Sequence, residues 1–177
     1  MTNLADTSVP AWAVSSGASA PADAAGTSFL LVGIGREAGA RLATWEAALA
    51  ASHPVAAVRR LQYDDAGAAR SALVAALADA RVGVRVRLAG PVGACLALRG
   101  AAAMVGLEEE ELFLAPTGPG PIDLFCAHCG VATAVVAAIG DVAACGGCAR
   151  NLVIYHHVSR RNGQFLGYKI DAEENPE

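Results

Sequence analysis

Apolar positions in this chain follow two rhythms, and the rhythms alternate. Phe29–Ile34 is a continuous apolar run closed by Gly35, and Leu42, Trp45 and Leu49 then recur at helical spacing over 37–51. His53-Pro54 stops that helix, because the residue before proline avoids the α region. A strand over 55–61 and a second helix over 66–80, with Leu73 and Leu77 one turn apart, follow. Val82, Val84, Val86 and Leu88 alternate with Gly83, Arg85 and Arg87, which reads as an edge or half-covered strand. Gly90-Pro91 opens a third helix to about Val105, with Cys95 on its apolar side. Glu108–Glu111 reads as a solvated acidic turn and Leu112–Ala115 as a short fourth strand.

Strands alternating with helices predict an α/β domain over 28–115 with a mostly parallel sheet and helices on both faces. Pro116-Thr-Gly-Pro-Gly-Pro121 reads as a stiff linker. Beyond it the period becomes two. Strands are expected over 122–125, 131–138, 141–144, 152–159 and 164–170, the last pair joined at Asn162-Gly163, a strong short hairpin signal. At the ends, 1–27 reads as a disordered leader too poor in apolar side chains to order itself, and 171–177 as a frayed acidic tail. Trp12 is the exception in the leader: an exposed anchor for another surface, or a tail residue with no role.

Composition narrows the function classes. A chain of 177 residues, 54% hydrophobic, holds one ordinary domain or a small domain plus a metal-stapled module. A net charge of −4 and an isoelectric point near 5.5 argue against a general polyanion binder. Lys169 is the lone lysine among the basic residues. No apolar run approaches a membrane span, and the absence of Lys or Arg before Arg36 removes the charged start of a secretory signal. We expect a cytoplasmic, reducing location.

The chemistry concentrates at Cys126-Ala-His-Cys129 and Cys145-Gly-Gly-Cys148, fifteen residues apart. Two CxxC turns supply four sulfurs to one point, the ligand set of a closed tetrahedral Zn²⁺ site, so the all-β stretch 122–170 reads as a four-cysteine zinc ribbon with an extra hairpin. Gly130, Gly146 and Gly147 are expected at positive φ beside the metal. Iron in a rubredoxin-like site takes the same ligands, and a redox pair or disulfides are weaker readings given two motifs and a reducing location. Four thiolates around Zn²⁺ leave negative charge for Arg150, Arg160 and Arg161 to offset. His128 lies inside the first turn, outside a shell already filled, and is expected exposed.

Gly33-Ile-Gly35 after a strand and before a helix is the context of a dinucleotide loop, giving a small Rossmann-like three-layer domain. Gly33 and Gly35 with Arg59 are the candidate cofactor-binding residues, although Glu37 sets a negative charge where phosphates would sit. A tight strand-to-helix turn without a ligand explains the glycines equally well. Tyr155, His156, His157, Arg160 and Arg161 crowd one hairpin and suit an interface, His156 and His157 pointing to opposite faces. No Ser/His/Asp order or carboxylate pair marks a catalytic site.

Phe125-Cys-Ala-His-Cys-Gly, Gly140-Asp141, Cys145-Gly-Gly-Cys148, Tyr155-His-His-Val-Ser-Arg-Arg161 and Gly163-Gln-Phe-Leu-Gly-Tyr168 together resemble the small subunit of bacterial dimethylamine monooxygenase over about 122–170. Over 28–115 the likeness is one of layout. Leu88-Ala-Gly-Pro91 and Glu111-Leu-Phe113 look like a worn ferredoxin-reductase-type nucleotide domain, with Ala89 where that family carries a cysteine. The resemblance implies an accessory, non-catalytic subunit of an NADPH- and O₂-dependent enzyme that demethylates dimethylamine. It implies partners carrying the cofactors: a haem-bearing oxygenase subunit, and a reductase subunit with FMN and a 2Fe-2S cluster. Two alternatives are a nucleic-acid-binding zinc ribbon and a small NADP-binding protein. Because metal binding and ribbon folding are one event, Cys126→Ser is expected to unfold the C-terminal module and leave the α/β domain largely intact.

Overall fold

The computed structural model describes residues 7–14 and 25–170; the rest of the expected leader and the acidic tail 171–177 lie outside the described residues. Four parallel strands form the first sheet: β1 (Ser28–Ile34), β2 (Ala57–Tyr63), β3 (Val84–Pro91) and β4 (Leu112–Gly118), in the order β2-β1-β3-β4. The chain steps outward from β1 to β2, then jumps back past β1 to β3. With crossovers of one hand, that reversal puts helices on opposite faces. Accordingly α2 (Ala38–Ser52) packs Leu42, Trp45 and Leu49 against Phe29 and Leu31, while Leu30, Val32 and Ile34 face the other way. On that second face lie α3 (Ala66–Ala78) and α4 (Val92–Met104). Asp65 caps α3 by accepting from the N–H groups of Gly67 at 2.8 Å and Ala68 at 3.1 Å.

Several expectations need correction. β3 is a central strand between β1 and β4, not an edge; the edges are β2 and β4. The alternation arises because α2 packs chiefly over β1, β2 and β3 and reaches β4 through the edge-on contact of Trp45 with Phe113 at 5.5 Å, so polar side chains fit on the less covered part of the face. Arg87 there is flanked by the rings of Phe29 and Phe113, 5.7 and 5.9 Å from its guanidinium carbon, and burial lowers its pKa. The Glu108–Glu111 turn is exposed at its first three residues, in line with a solvated acidic turn, and is also tied to the domain by two ion pairs. Glu111 accepts from Arg85 at 3.2 Å, and Glu109 from Arg99 at 2.6 Å, Arg99 being buried in α4. Within the expected leader, α1 (Ala11–Val14) is helical, and Val9 and Trp12 are buried in the main core. Trp12 is thus an anchor, and the surface it holds is this chain's own.

The C-terminal sheet is five-stranded: β5 (Ile122–Cys126), β6 (Ala132–Val135), β7 (Val142–Ala144), β8 (Asn151–Val158) and β9 (Phe165–Lys169), in the order β6-β5-β9-β8-β7. The expected extra hairpin is not an appendage. β9 pairs parallel to β5 and antiparallel to β8, so it occupies the middle and joins the two cysteine-bearing hairpins. Its turn is longer than the two-residue type expected at Asn162-Gly163. Ser159 N–H donates to Gln164 O, Gly163 N–H donates to Ser159 O, and Gly163 takes φ +69° while Asn162 stays at negative φ.

The segment 116–121 is not a free spacer either, since β4 continues to Gly118. Ile122, Leu124, Ile154, Val158 and Phe165 share one core with Leu96 and Leu98 of α4. Helix α4 is therefore buried on both sides, against its own sheet and against the ribbon. Glycines make the close approach possible. A Cβ on Gly93 would run into the Pro121 carbonyl, and one on Gly100 would lie 2.7 Å from the Arg161 carbonyl oxygen.

Candidate metal centre

Each knuckle is built by backbone hydrogen bonds that turn the chain around a sulfur. In the first, Cys126 N–H donates to Val131 O at 3.0 Å and Gly130 N–H donates to Cys126 O at 2.9 Å. The second repeats the pattern: Cys145 N–H to Arg150 O and Ala149 N–H to Cys145 O, both 2.9 Å. The equivalent residues Gly130 and Ala149 take φ +74° and +58°. Positive φ was expected at Gly146 and Gly147; it falls instead on Ala149, the one non-glycine in that region among the described residues. Gly146 and Gly147 serve close approach. Gly146 N–H donates to Thr133 Oγ1 at 3.0 Å, and a Cβ on Gly147 would lie 2.7 Å from Val131 Cγ2.

The four sulfurs of Cys126, Cys129, Cys145 and Cys148 lie within 4.8 Å of one another. Cys126 and Cys148 are 3.8 Å apart, Cys129 and Cys145 3.5 Å. A tetrahedron of sulfurs about 2.3 Å from a central ion has edges of about 3.8 Å, whereas a disulfide needs about 2.05 Å. The spacing is that of a four-thiolate metal shell, and all five cysteines are free thiols. N–H groups of Cys148 and Gly147 hold the Cys145 thiol down to about 6. For Cys129 the Val131 N–H pulls downward, but partial burial and the three neighbouring thiols push it up to about 12. Four such groups ionise together only around a cation. Cys126 and Cys145 are buried while Cys129 is exposed, so the site opens to solvent on one side.

Cys95 is fully buried in α4, its thiol donating to Gly90 O at 3.4 Å and pushed up to about 12 by burial, as a core residue should be. His128 is exposed beside Cys129, as its position predicted. His156 and His157 do diverge. His157 Nδ1 lies 3.0 Å from Ser8 Oγ, which also accepts from Val158 N–H, while His156 lines an apolar cleft between the ribbon and α1. Tyr155, half exposed, meets Tyr168 edge-on at 5.2 Å. Arg161 packs its Nε against Met104 Sδ on α4 at 2.8 Å, facing that helix; Arg160 is exposed at the turn.

Of the candidate cofactor residues, Gly33 is needed for packing: a Cβ there would sit 2.7 Å from Leu42 Cδ1. Gly35 has φ +79° with open space around the missing side chain. Arg59 does not join them. It is exposed in the middle of β2, opposite Leu30, four residues before the carboxyl end where Gly35 lies. The expected strand 55–61 placed it nearer that end. Sequence reasoning also missed Arg36 and Arg41, which line clefts beside Gly35. Their positions in the first turns after the Gly loop were the available signal.

A four-cysteine ribbon packed on a parallel α/β domain defines the class of protein. Within it, residues 123–168 match the family described as "Dimethylamine monooxygenase subunit DmmA-like, C-terminal domain". A curated relative, the "Heme-dependent oxidative N-demethylase delta subunit" of Ectopseudomonas mendocina (strain ymp), is 35% identical over 98 residues, 55% of this chain and 55% of the relative. The chain thus spans about half the length of the curated relative it matches. No solved structure matches. The matched residues 123–168 lie in the C-terminal ribbon, the stretch in which Phe125–Tyr168 carries the resemblance.

Proposed function

We propose that this chain is an accessory subunit of a multi-component, haem-dependent monooxygenase that oxidatively N-demethylates dimethylamine with NADPH and O₂. The carrying observation is the match over 123–168, which takes in both knuckles and the Tyr155–Tyr168 hairpin rather than the metal site alone. The relative's printed name as the delta subunit of a haem-dependent oxidative N-demethylase supports the same assembly.

In this reading the four cysteines hold Zn²⁺, which folds the ribbon and does no chemistry, since four thiolates leave no open coordination position. The haem, FMN and 2Fe-2S cluster belong to the oxygenase and reductase subunits, and this chain holds those two together. The outward side of the ribbon suits the role. Tyr155 and Tyr168 stand against each other, with Arg160 exposed at the adjoining turn, and Tyr and Arg are favoured anchors at interface centres.

The test is capture of the tagged full-length chain from its native host, with metal analysis and an absorption spectrum. We expect a haem protein and a flavoprotein in the eluate and about one zinc per chain. Tyr155→Ala with Arg160→Glu should release both partners while zinc stays bound. A zinc-loaded chain that captures no haem protein refutes the proposal.

A further inference from the structure

Four clefts of about 350, 480, 410 and 440 Å³ run together along the carboxyl edge of the parallel sheet. The first two share Glu37 and Thr117, the next pair Gly118 and Pro119, and the last pair Val92 and Ala13. They form one trough from α2, over the ends of β1, β3 and β4, to His156 on the ribbon. Neighbouring β1 and β3 are where the strand order reverses, the crevice in which open parallel sheets take their ligands.

The two ends of the trough differ in chemistry. At one end stand Arg36 and Arg41, with the hydroxyls of Thr44 and Thr117. Arg60, Arg85 and Arg99 each find a carboxylate, but among the described residues the side chains of Arg36 and Arg41 make neither an ion pair nor a hydrogen bond, although Glu37 adjoins both. At the other end Val92, Ile122, Ile139 and Phe165 surround His156. Between them Ile34, Pro91 and Pro119 line the walls together with stretches of bare main chain. Gly35 and Gly118 have φ +79° and +153°, and a Cβ on either would meet nothing within 4 Å, whereas Gly33, Gly93 and Gly120 are packed full.

We propose that this trough binds a nucleotide, with phosphate at Arg36, Arg41 and Thr117 and the base in the apolar end beside His156. The ligand must carry an anion and a flat, weakly polar ring on one short frame, and an inorganic anion would leave the apolar end empty. Glu37 stands at the same phosphate end, where its charge opposes a phosphate and Arg36 and Arg41 together offset it. The proposal replaces Arg59 by Arg36 and Arg41, and it does not rest on the subunit role.

The experiment is calorimetric titration of the full-length, metal-loaded chain with ADP, NADPH and inorganic phosphate. We expect saturable binding of ADP or NADPH, weakened roughly tenfold or more by Arg36→Ala with Arg41→Ala at an unchanged melting temperature. Arg59→Ala should bind as the wild type does. His156→Ala should weaken the nucleotide but not phosphate. The proposal is overturned if neither nucleotide saturates at millimolar concentration, if the double variant binds equally well, or if phosphate alone binds as tightly as ADP. It is also overturned if the trough arginines prove necessary only for capturing an acidic partner protein.

Discussion

Replacing Gly100 by alanine sets two effects of opposite sign against each other. In the interior of a helix such as α4, glycine to alanine ordinarily stabilises by about 0.5–1 kcal/mol, because glycine loses more freedom on folding. Here the added methyl would lie 2.7 Å from the Arg161 carbonyl oxygen and 3.1 Å from its carbon, both main-chain atoms of the hairpin turn. That turn cannot swing aside. Gly163 in the same turn sits so close to Leu96 O that it has no room for a side chain either. Overpacking of this kind costs about 1–3 kcal/mol. The clash should win, leaving a net loss of about 1–2 kcal/mol. At about 2–4 °C per kcal/mol for a chain of this size, the melting temperature should fall by about 2–8 °C. Scanning calorimetry of the metal-loaded protein measures it, with Gly39→Ala in α2 as the control. There the neighbour is the mobile amide end of Gln62 at 3.1 Å, so the variant should be neutral or slightly more stable. If Gly100→Ala raised the melting temperature as a free helical glycine would, the seating of the ribbon turn on α4 would be refuted.

Other consequences follow from the same contacts. The shared core of the ribbon's inner face and α4 replaces the expectation that Cys126→Ser would unfold the C-terminal module alone: removal of the metal by a chelator should lower the stability of the whole chain in a single transition, and two separate melts would restore that expectation. In the native, metal-loaded state iodoacetamide should label none of the five cysteines, and after chelation four, with Cys95 protected by burial and a thiol pushed up to about 12. Acid should release the metal only below pH 6, because N–H donors alone already hold Cys145 down to about 6 from its ordinary 9.0 and a bound cation lowers all four thiols further; zinc lost near neutral pH contradicts this. Ala149→Gly should stabilise the second knuckle by about 1 kcal/mol in urea melts, by relieving the left-handed strain at φ +58°. Trp12→Ala should lower stability by about 3 kcal/mol, as truncating a buried aromatic does, and no change would return that segment to a tail.

The four-cysteine cluster was legible because a CxxC pair acts locally: two residues set the turn, and two turns bring four sulfurs within 4.8 Å of one another. The strand and helix order was legible for a similar reason, since hydrophobic period reports local geometry. Even there the pattern left open what burial from afar decided. β3 read as an edge or half-covered strand because Arg85 and Arg87 alternate with valines; it is the half-covered one, a central strand in which one arginine is held by Glu111 and one by two aromatic rings.

Only the tertiary structure decided how the pieces join. Nothing local marks β9 for the middle of the ribbon, since parallel pairing with β5 joins residues some forty positions apart. Nothing local shows that Gly93 and Gly100 are small so that another chain segment can lie against α4; in sequence they are merely poor helix formers. Trp12 likewise looked like a tail residue until the core it fills was assembled around it. Periodicity and ligand spacing are properties of a few neighbouring residues. Close approach is a property of two distant segments, and it exists only once both are in place.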